Sequence, residues 1–96
     1  MDRGGFVYLM ANHKRGTLYT GVSSALPART YQHKNNIVPG YTSRYALHQL
    51  VYFERHDDIR EAIAREKRIK RWHRAWKIEL VEAQNPEWRD LYLELF

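Results

Sequence analysis

The 96-residue chain has no cysteine. That absence excludes a disulfide framework, any cysteine-ligated zinc site, an iron–sulfur cluster and thiol catalysis. It also lacks any apolar run near the roughly 18–20 residues a membrane span needs. The N-terminal Met1-Asp2-Arg3-Gly4-Gly5 lacks the apolar run of a secretory leader. No repeat, linker or low-complexity stretch interrupts the sequence. These absences point to one soluble, cytoplasmic domain, spanning 1–96.

What is present is aromatic and basic. Hydrophobic residues make up 44%, enough to build a core, and aromatics 14%. The formal charge of +5 favours an anionic partner, nucleic acid first. The charge is uneven. Eight cations (Arg60, Arg65, Lys67, Arg68, Lys70, Arg71, Arg74 and Lys77) face only Glu61 and Glu66 between 60 and 77. Beyond Ile78 the acids Glu79, Glu82, Glu87, Asp90 and Glu94 face only Arg89. The basic cluster suits phosphates. The interleaved Trp72 and Trp76 suit either base stacking or core packing, and core is the expectation. The acidic tail is expected to pack back on the domain or on a second copy.

The pattern reads β-β-α-β-α-α-α. Phe6 to Ala11 is a buried strand, and Asn12 to Gly16 a hairpin loop. Thr17 to Val22 returns, so this pair must be antiparallel. A helix capped by Ser23 or Ser24 runs to about Lys34, with Pro27 in its first turn. Asn35 to Arg44 reads as a loop. Leu47 to Glu54 is a third strand. Asp57 or Asp58 caps a helix over Ile59 to Arg71, and another helix covers Arg74 to Ala83. Asn85-Pro86 opens a last helix through Leu95. The fold class is α/β (α+β), with a small sheet flanked by helices.

One carboxylate is oddly placed. With Ile59 at zero and about 100° per residue, Ala62, Ile63 and Ile69 define an inward stripe. Glu66 falls near its middle, at about −20°. A buried lone charge needs a partner. An ordinary i,i+4 pair with Lys70 satisfies that need, and so does a divalent metal, since one carboxylate with phosphate oxygens and waters is a normal Mg²⁺ site. Arg29 and His33 share a helical face, with a solvated face the plainer reading and a phosphate clamp beside a proton carrier the alternative. Tyr8 and Tyr19 lie on opposite hairpin strands and stand together in one register. A zinc site from His33, His48 and His56 lacks the usual ligand spacing.

Taken together, these residues resemble the GIY-YIG nuclease superfamily, and within it the small stand-alone YhbQ-like or UPF0213 group. The first motif stands as Phe6-Val7-Tyr8 and the second as Tyr19-Thr20-Gly21. The segments Gly16–Val22, Leu50–Glu54 and Glu61–Trp72 strengthen the likeness, which covers about residues 5 to 83. The remaining 84–96 would be a C-terminal helical extension.

The resemblance implies a three-stranded antiparallel sheet flanked by helices. It also implies metal-dependent DNA endonuclease activity, with Mg²⁺ or Mn²⁺ as cofactor. Tyr8 and Tyr19 match the motif tyrosines that flank the attacking water. Arg29 matches the arginine on the scissile phosphate, and His33 the position four residues on. Glu66 matches the single metal ligand. Gly21 matches the glycine that keeps the nucleic-acid face open. Arg44, Lys67, Lys70 and Arg71 are the further candidates for DNA contact. Phe6 and Thr20 stand where the motifs carry Gly and Ile, and Val22 where repair members carry Lys. Asn85 is the only late asparagine.

With no second domain to read sequence, single-stranded or structured DNA is the expected substrate, in repair or processing. The runner-up is a non-catalytic nucleic-acid-binding module. A homodimer could form through Trp88, Leu91, Tyr92 and Leu95 if they share one helix face.

Overall fold

Alternation of side chains along the first strand decides how the molecule is layered. In the computed structural model, which describes residues 4–37 and 39–96, β1 (Gly5–Ala11) is buried along almost its whole length. Met1 to Arg3, read above for a leader, and Val38, within the expected loop, lie outside the described residues. β1 is the central strand between β2 (Leu18–Ser23) and β3 (Gln49–His56), antiparallel to both. A central strand has both faces covered, which is why Phe6 to Ala11 reads as a near-continuous apolar run.

The two faces carry different layers. Val7 packs with Ala62 and Ile69 of α3 (Ile59–Lys70). Leu9 and Ala11 pack with Val81 of α4 (Arg74–Gln84). On the opposite face Tyr8 and Met10 pack with Leu26 of α1 (Leu26–Lys34), and with Leu47, Leu50 and Leu91. The expected three-stranded antiparallel sheet flanked by helices is therefore what the chain forms. Among the described residues no helix is long and apolar enough to cross a membrane.

Several boundaries differ from the sequence reading, each for a local reason. The expected loop holds a four-residue helix, α2 (Tyr41–Arg44), braced by Ser43, whose hydroxyl meets the Gly40 carbonyl at 3.0 Å. Leu47 is then spent on a hydrogen bond to the Thr42 carbonyl after the left-handed Ala46 (φ 56°), so β3 starts two residues late. A bulge shifts the β1–β3 register between Leu9 and Met10. Ala25, not Ser23 or Ser24, is the N-cap of α1, with the Ser23 hydroxyl accepting from the Ala25 amide at 2.9 Å. Asp58 caps α3 as expected, accepting from the Arg60 amide at 2.8 Å.

Asn85 does not open a helix. It caps the end of α4, and its buried side chain donates to the carbonyls of Val51 (3.0 Å) and Arg89 (2.9 Å) and accepts from the Arg89 amide (3.0 Å). The Val51 carbonyl belongs to β3, an edge strand. Leu91 adds a backbone bond to Leu50 at 2.7 Å, so the C-terminal segment covers that edge. Only a 3₁₀ turn (Tyr92–Leu95) remains of the expected last helix, after a left-handed Trp88 (φ 59°). Trp88 and Leu91 are buried within the chain, so the expected homodimer face is largely used internally. The acidic tail packs back: Glu82 holds Arg15 and the Trp88 indole, and Asp90 holds Lys34. Asn85→Ala strands these buried partners and should cost about 2–3 kcal/mol in urea unfolding. A loss within about 0.5 kcal/mol of zero would show that water replaces the amide.

Two apolar expectations fail. Trp76 is half-exposed rather than core, standing edge-on to Trp72 at 6.2 Å between ring centres. Ile63 is 38% exposed, because α3 presents Ala62, Glu66 and Ile69 to the sheet and leaves Ile63 at the stripe's border.

Candidate active site

The hairpin register places the two motif tyrosines. Tyr8 pairs with Gly21, and Met10 with Tyr19. Tyr19 and Gly21, two residues apart, share the face that Tyr8 occupies. The rings of Tyr8 and Tyr19 lie diagonally, 6.2 Å apart. Gly21 makes this possible. A Cβ there would sit 2.6 Å from the Tyr8 Cζ and hydroxyl and 2.8 Å from the Tyr19 ring. Its role is room for two rings rather than an unusual backbone angle.

α1 supplies the second layer. The His33 ring packs on both tyrosines, at 5.8 Å from Tyr8 and 5.6 Å from Tyr19. Its Nε2 lies 2.9 Å from the Tyr8 hydroxyl, and its Nδ1 lies 3.0 Å from the Thr42 hydroxyl. His33 is 3% exposed, so the solvated-face reading of this residue does not hold. Burial, reinforced by the nearby Arg29 cation, lowers its pKa. The neutral imidazole can then take the Tyr8 proton at Nε2 while Nδ1 is held by Thr42.

Tyr8 is fully buried, and its pKa is pushed up, first by that burial and then by Tyr19; Arg29 opposes the shift. Arg29 itself is exposed on α1, its charge felt by both Tyr8 and His33. The arrangement is thus a buried phenol, a neutral imidazole acceptor and a solvent-facing guanidinium within reach of both.

Glu66 comes from α3, which packs across β1 and β2. It is 6% exposed, as its place on the stripe implies, and Lys70 Nζ meets its Oε2 at 2.6 Å. Lys70 is held in its charged form by Glu66, and the Tyr19 hydroxyl acts on it in the same direction. Glu66 and Lys70 therefore form one ion pair. Among the described residues no group of three or more His, Asp or Glu stands ready for a metal, which also removes the His33, His48 and His56 combination. The donor set that remains is one buried carboxylate, paired with Lys70. That suits a hard divalent ion completed by water and phosphate oxygens, not a protein-only cage.

The DNA-contact candidates divide. Lys67, Arg71 and Arg44 are exposed, Arg44 on α2, while Lys70 is bound to Glu66. Sequence reasoning missed α2's part in the site. Thr42 orients His33, and Tyr41 packs on Tyr19 with ring centres 6.2 Å apart. A Gly-Tyr-Thr-Ser run after a proline was the available signal, but four residues are too few to show a helical period.

Comparison with known proteins gives a consistent result. The family model described as the GIY-YIG catalytic domain matches residues 4–79. A UPF0213 protein of Staphylococcus saprophyticus is 36% identical over 76 residues, covering 79% of this chain and 92% of that protein. A UPF0213 protein of Clostridium perfringens is 35% identical over 80 residues, covering 83% and 85%. One of Staphylococcus epidermidis is 34% identical over 77 residues, covering 80% and 93%. No solved structure matches the chain significantly.

Proposed function

The chain belongs to the GIY-YIG family, and from that membership we propose that it is a metal-dependent DNA endonuclease. It hydrolyses phosphodiester bonds and prefers single-stranded or structured DNA, in repair or processing within the cytoplasm. The observation that supports this reading most is the Tyr8–His33 bond at 2.9 Å with Arg29 at its mouth. Any buried phenol needs a hydrogen-bond partner; here that partner is a neutral imidazole with a solvent-facing guanidinium whose charge both groups feel.

Arg29 binds the scissile phosphate and offsets the charge that grows on it. Tyr8 removes the proton from water. Burial makes the neutral phenol a poor base, so Tyr8 acts in its ionised form, with His33 Nε2 hydrogen-bonded to its oxygen. Tyr19 closes the other side of the water site. Glu66 is the residue to hold Mg²⁺ or Mn²⁺, a role for which Lys70 must release its carboxylate. The bound ion would supply Lewis-acid stabilisation of the phosphate and the leaving oxygen. Arg44, Lys67 and Arg71 contribute phosphate contacts along the strand, while the buried Gly21 makes room for the Tyr8 and Tyr19 rings.

The pH dependence follows from the Tyr8 shift. A raised phenol pKa leaves the base form scarce at neutral pH, and that form grows about tenfold per pH unit until the pKa is passed. His33, lowered from its ordinary value, is already neutral in that range. Single-turnover cleavage should therefore rise steeply from about pH 7 to about pH 9. A flat profile over that interval would remove Tyr8 as the base.

The second reading, binding without cleavage, draws on the ammonium already seated on Glu66. Labelled single-stranded, duplex and branched DNA, incubated with Mg²⁺ or Mn²⁺ and with EDTA, separates the two. Metal-dependent products support the nuclease. Binding without products on every substrate supports the module.

A further inference from the structure

The rings at the active site do not stop at Tyr19. Tyr41 packs on Tyr19 with centres 6.2 Å apart, and Tyr45 packs on Tyr41 at 4.8 Å. Tyr8, Tyr19, Tyr41 and Tyr45 thus make an aromatic ladder from the buried phenol to solvent. Its outer rungs are open, with Tyr41 48% and Tyr45 46% exposed. Beside them lies a hollow of about 520 Å³ lined by Gly40, Tyr41, Ser43, Arg44 and Tyr45. Arg44 is exposed there.

We infer that Tyr41, Arg44 and Tyr45 form a docking step for one unpaired nucleobase, the neighbour of the phosphate to be cut. This rests on the nuclease reading and gives it a reason to favour unpaired DNA. Three observations carry it. Aromatic faces accept any base by stacking, and an adjacent guanidinium can hold that nucleotide's phosphate. The rungs are continuous with Tyr19, so a base seated there lies next to the reaction site rather than at a remote patch. The helix that presents them also orients His33 through Thr42, at 3.0 Å. One short turn therefore links base position to the proton acceptor. A base inside a duplex is already stacked and paired, and must leave the stack to use this step.

The test measures binding apart from cutting. Fluorescence anisotropy in EDTA follows a labelled thymidine oligonucleotide of about twelve nucleotides and an abasic strand of equal length. Wild type, Tyr45→Ala, Tyr45→Phe and Trp76→Ala are compared, with thermal melts to verify folding. Tyr45→Ala should weaken thymidine-strand binding about tenfold and leave abasic-strand binding unchanged. Tyr45→Phe should bind as wild type, since the ring does the stacking. Equal binding of both strands by wild type would overturn the inference. So would a base-dependent loss in Trp76→Ala with none in Tyr45→Ala, because the Trp72–Trp76 pair lies with α3 and α4. Cleavage is read separately. A wild type that cuts DNA while Tyr45→Ala binds normally sinks the docking step and leaves the nuclease standing. A wild type that never cuts sinks the nuclease reading.

Discussion

Glu66→Gln should abolish metal-dependent cleavage, by about a thousandfold or more, while DNA affinity stays within about threefold of wild type. Loss of Lewis-acid stabilisation removes several kcal/mol from the transition state, and each 1.4 kcal/mol is tenfold in rate. Stability should behave in the opposite sense from an ordinary buried ion pair. Glu66 is almost fully buried, but Lys70 is half-exposed, so the cation left behind recovers its water. Glutamine keeps the volume and removes a desolvated charge. The urea midpoint should therefore stay level or rise slightly. A protein that unfolds on this substitution would instead mark Glu66 as half of a structural pair. Retained cleavage would remove it as the metal residue.

The second large effect is at Gly21. Gly21→Ala places a methyl 2.6 Å from the Tyr8 hydroxyl and 2.8 Å from the Tyr19 ring. Tyr8 cannot retreat, because it is held by His33 and fully buried against Leu26 and Leu47. Overpacking of this kind costs about 1–3 kcal/mol. The displaced rings no longer flank one water, and misplacement by about 1 Å lowers rate about a hundredfold. Single-turnover cleavage and urea unfolding measure the two parts. A loss of stability with full activity would mean that the rings are packing and not chemistry.

Much of this site is legible from one dimension. The 3.6-residue period places Glu66 inward, and inward it lies. The hairpin motif gives the antiparallel pair, though the choice between two registers for Tyr8 and Tyr19 needs the three-dimensional pairing. The i,i+4 spacing of Arg29 and His33 is real, yet the helix turns one of them to solvent and the other into the core. That split depends on which face of β1 the helix covers, which no local pattern records. α2, the bulge in β3 and the fate of Asn85 are lost for a related reason. α2 is fixed by a short local bond, Ser43 to Gly40, and Asn85 by bonds to residues distant in sequence such as Val51; neither leaves a periodic trace. Trp76 fails differently, since a tryptophan spaced for a core can equally stand at its rim.

Five of the eight cations between 60 and 77 already hold partners within the chain: Arg60 on Asp58, Arg65 on Glu54, Lys70 on Glu66, Arg74 on the hairpin carbonyls of Arg15 and Gly16, and Lys77 on the carbonyl of Lys70. Such cations displace few counterions when DNA arrives. A titration of affinity against salt registers released ions rather than charges in the sequence. For a single strand the logarithmic slope from this cluster should then lie nearer about −2 than the roughly −6 that eight free cations would give. The protein is, to its substrate, a less basic object than its composition declares. On the nuclease reading it would let go of cut DNA at ionic strengths where a fully exposed cluster would still be holding on.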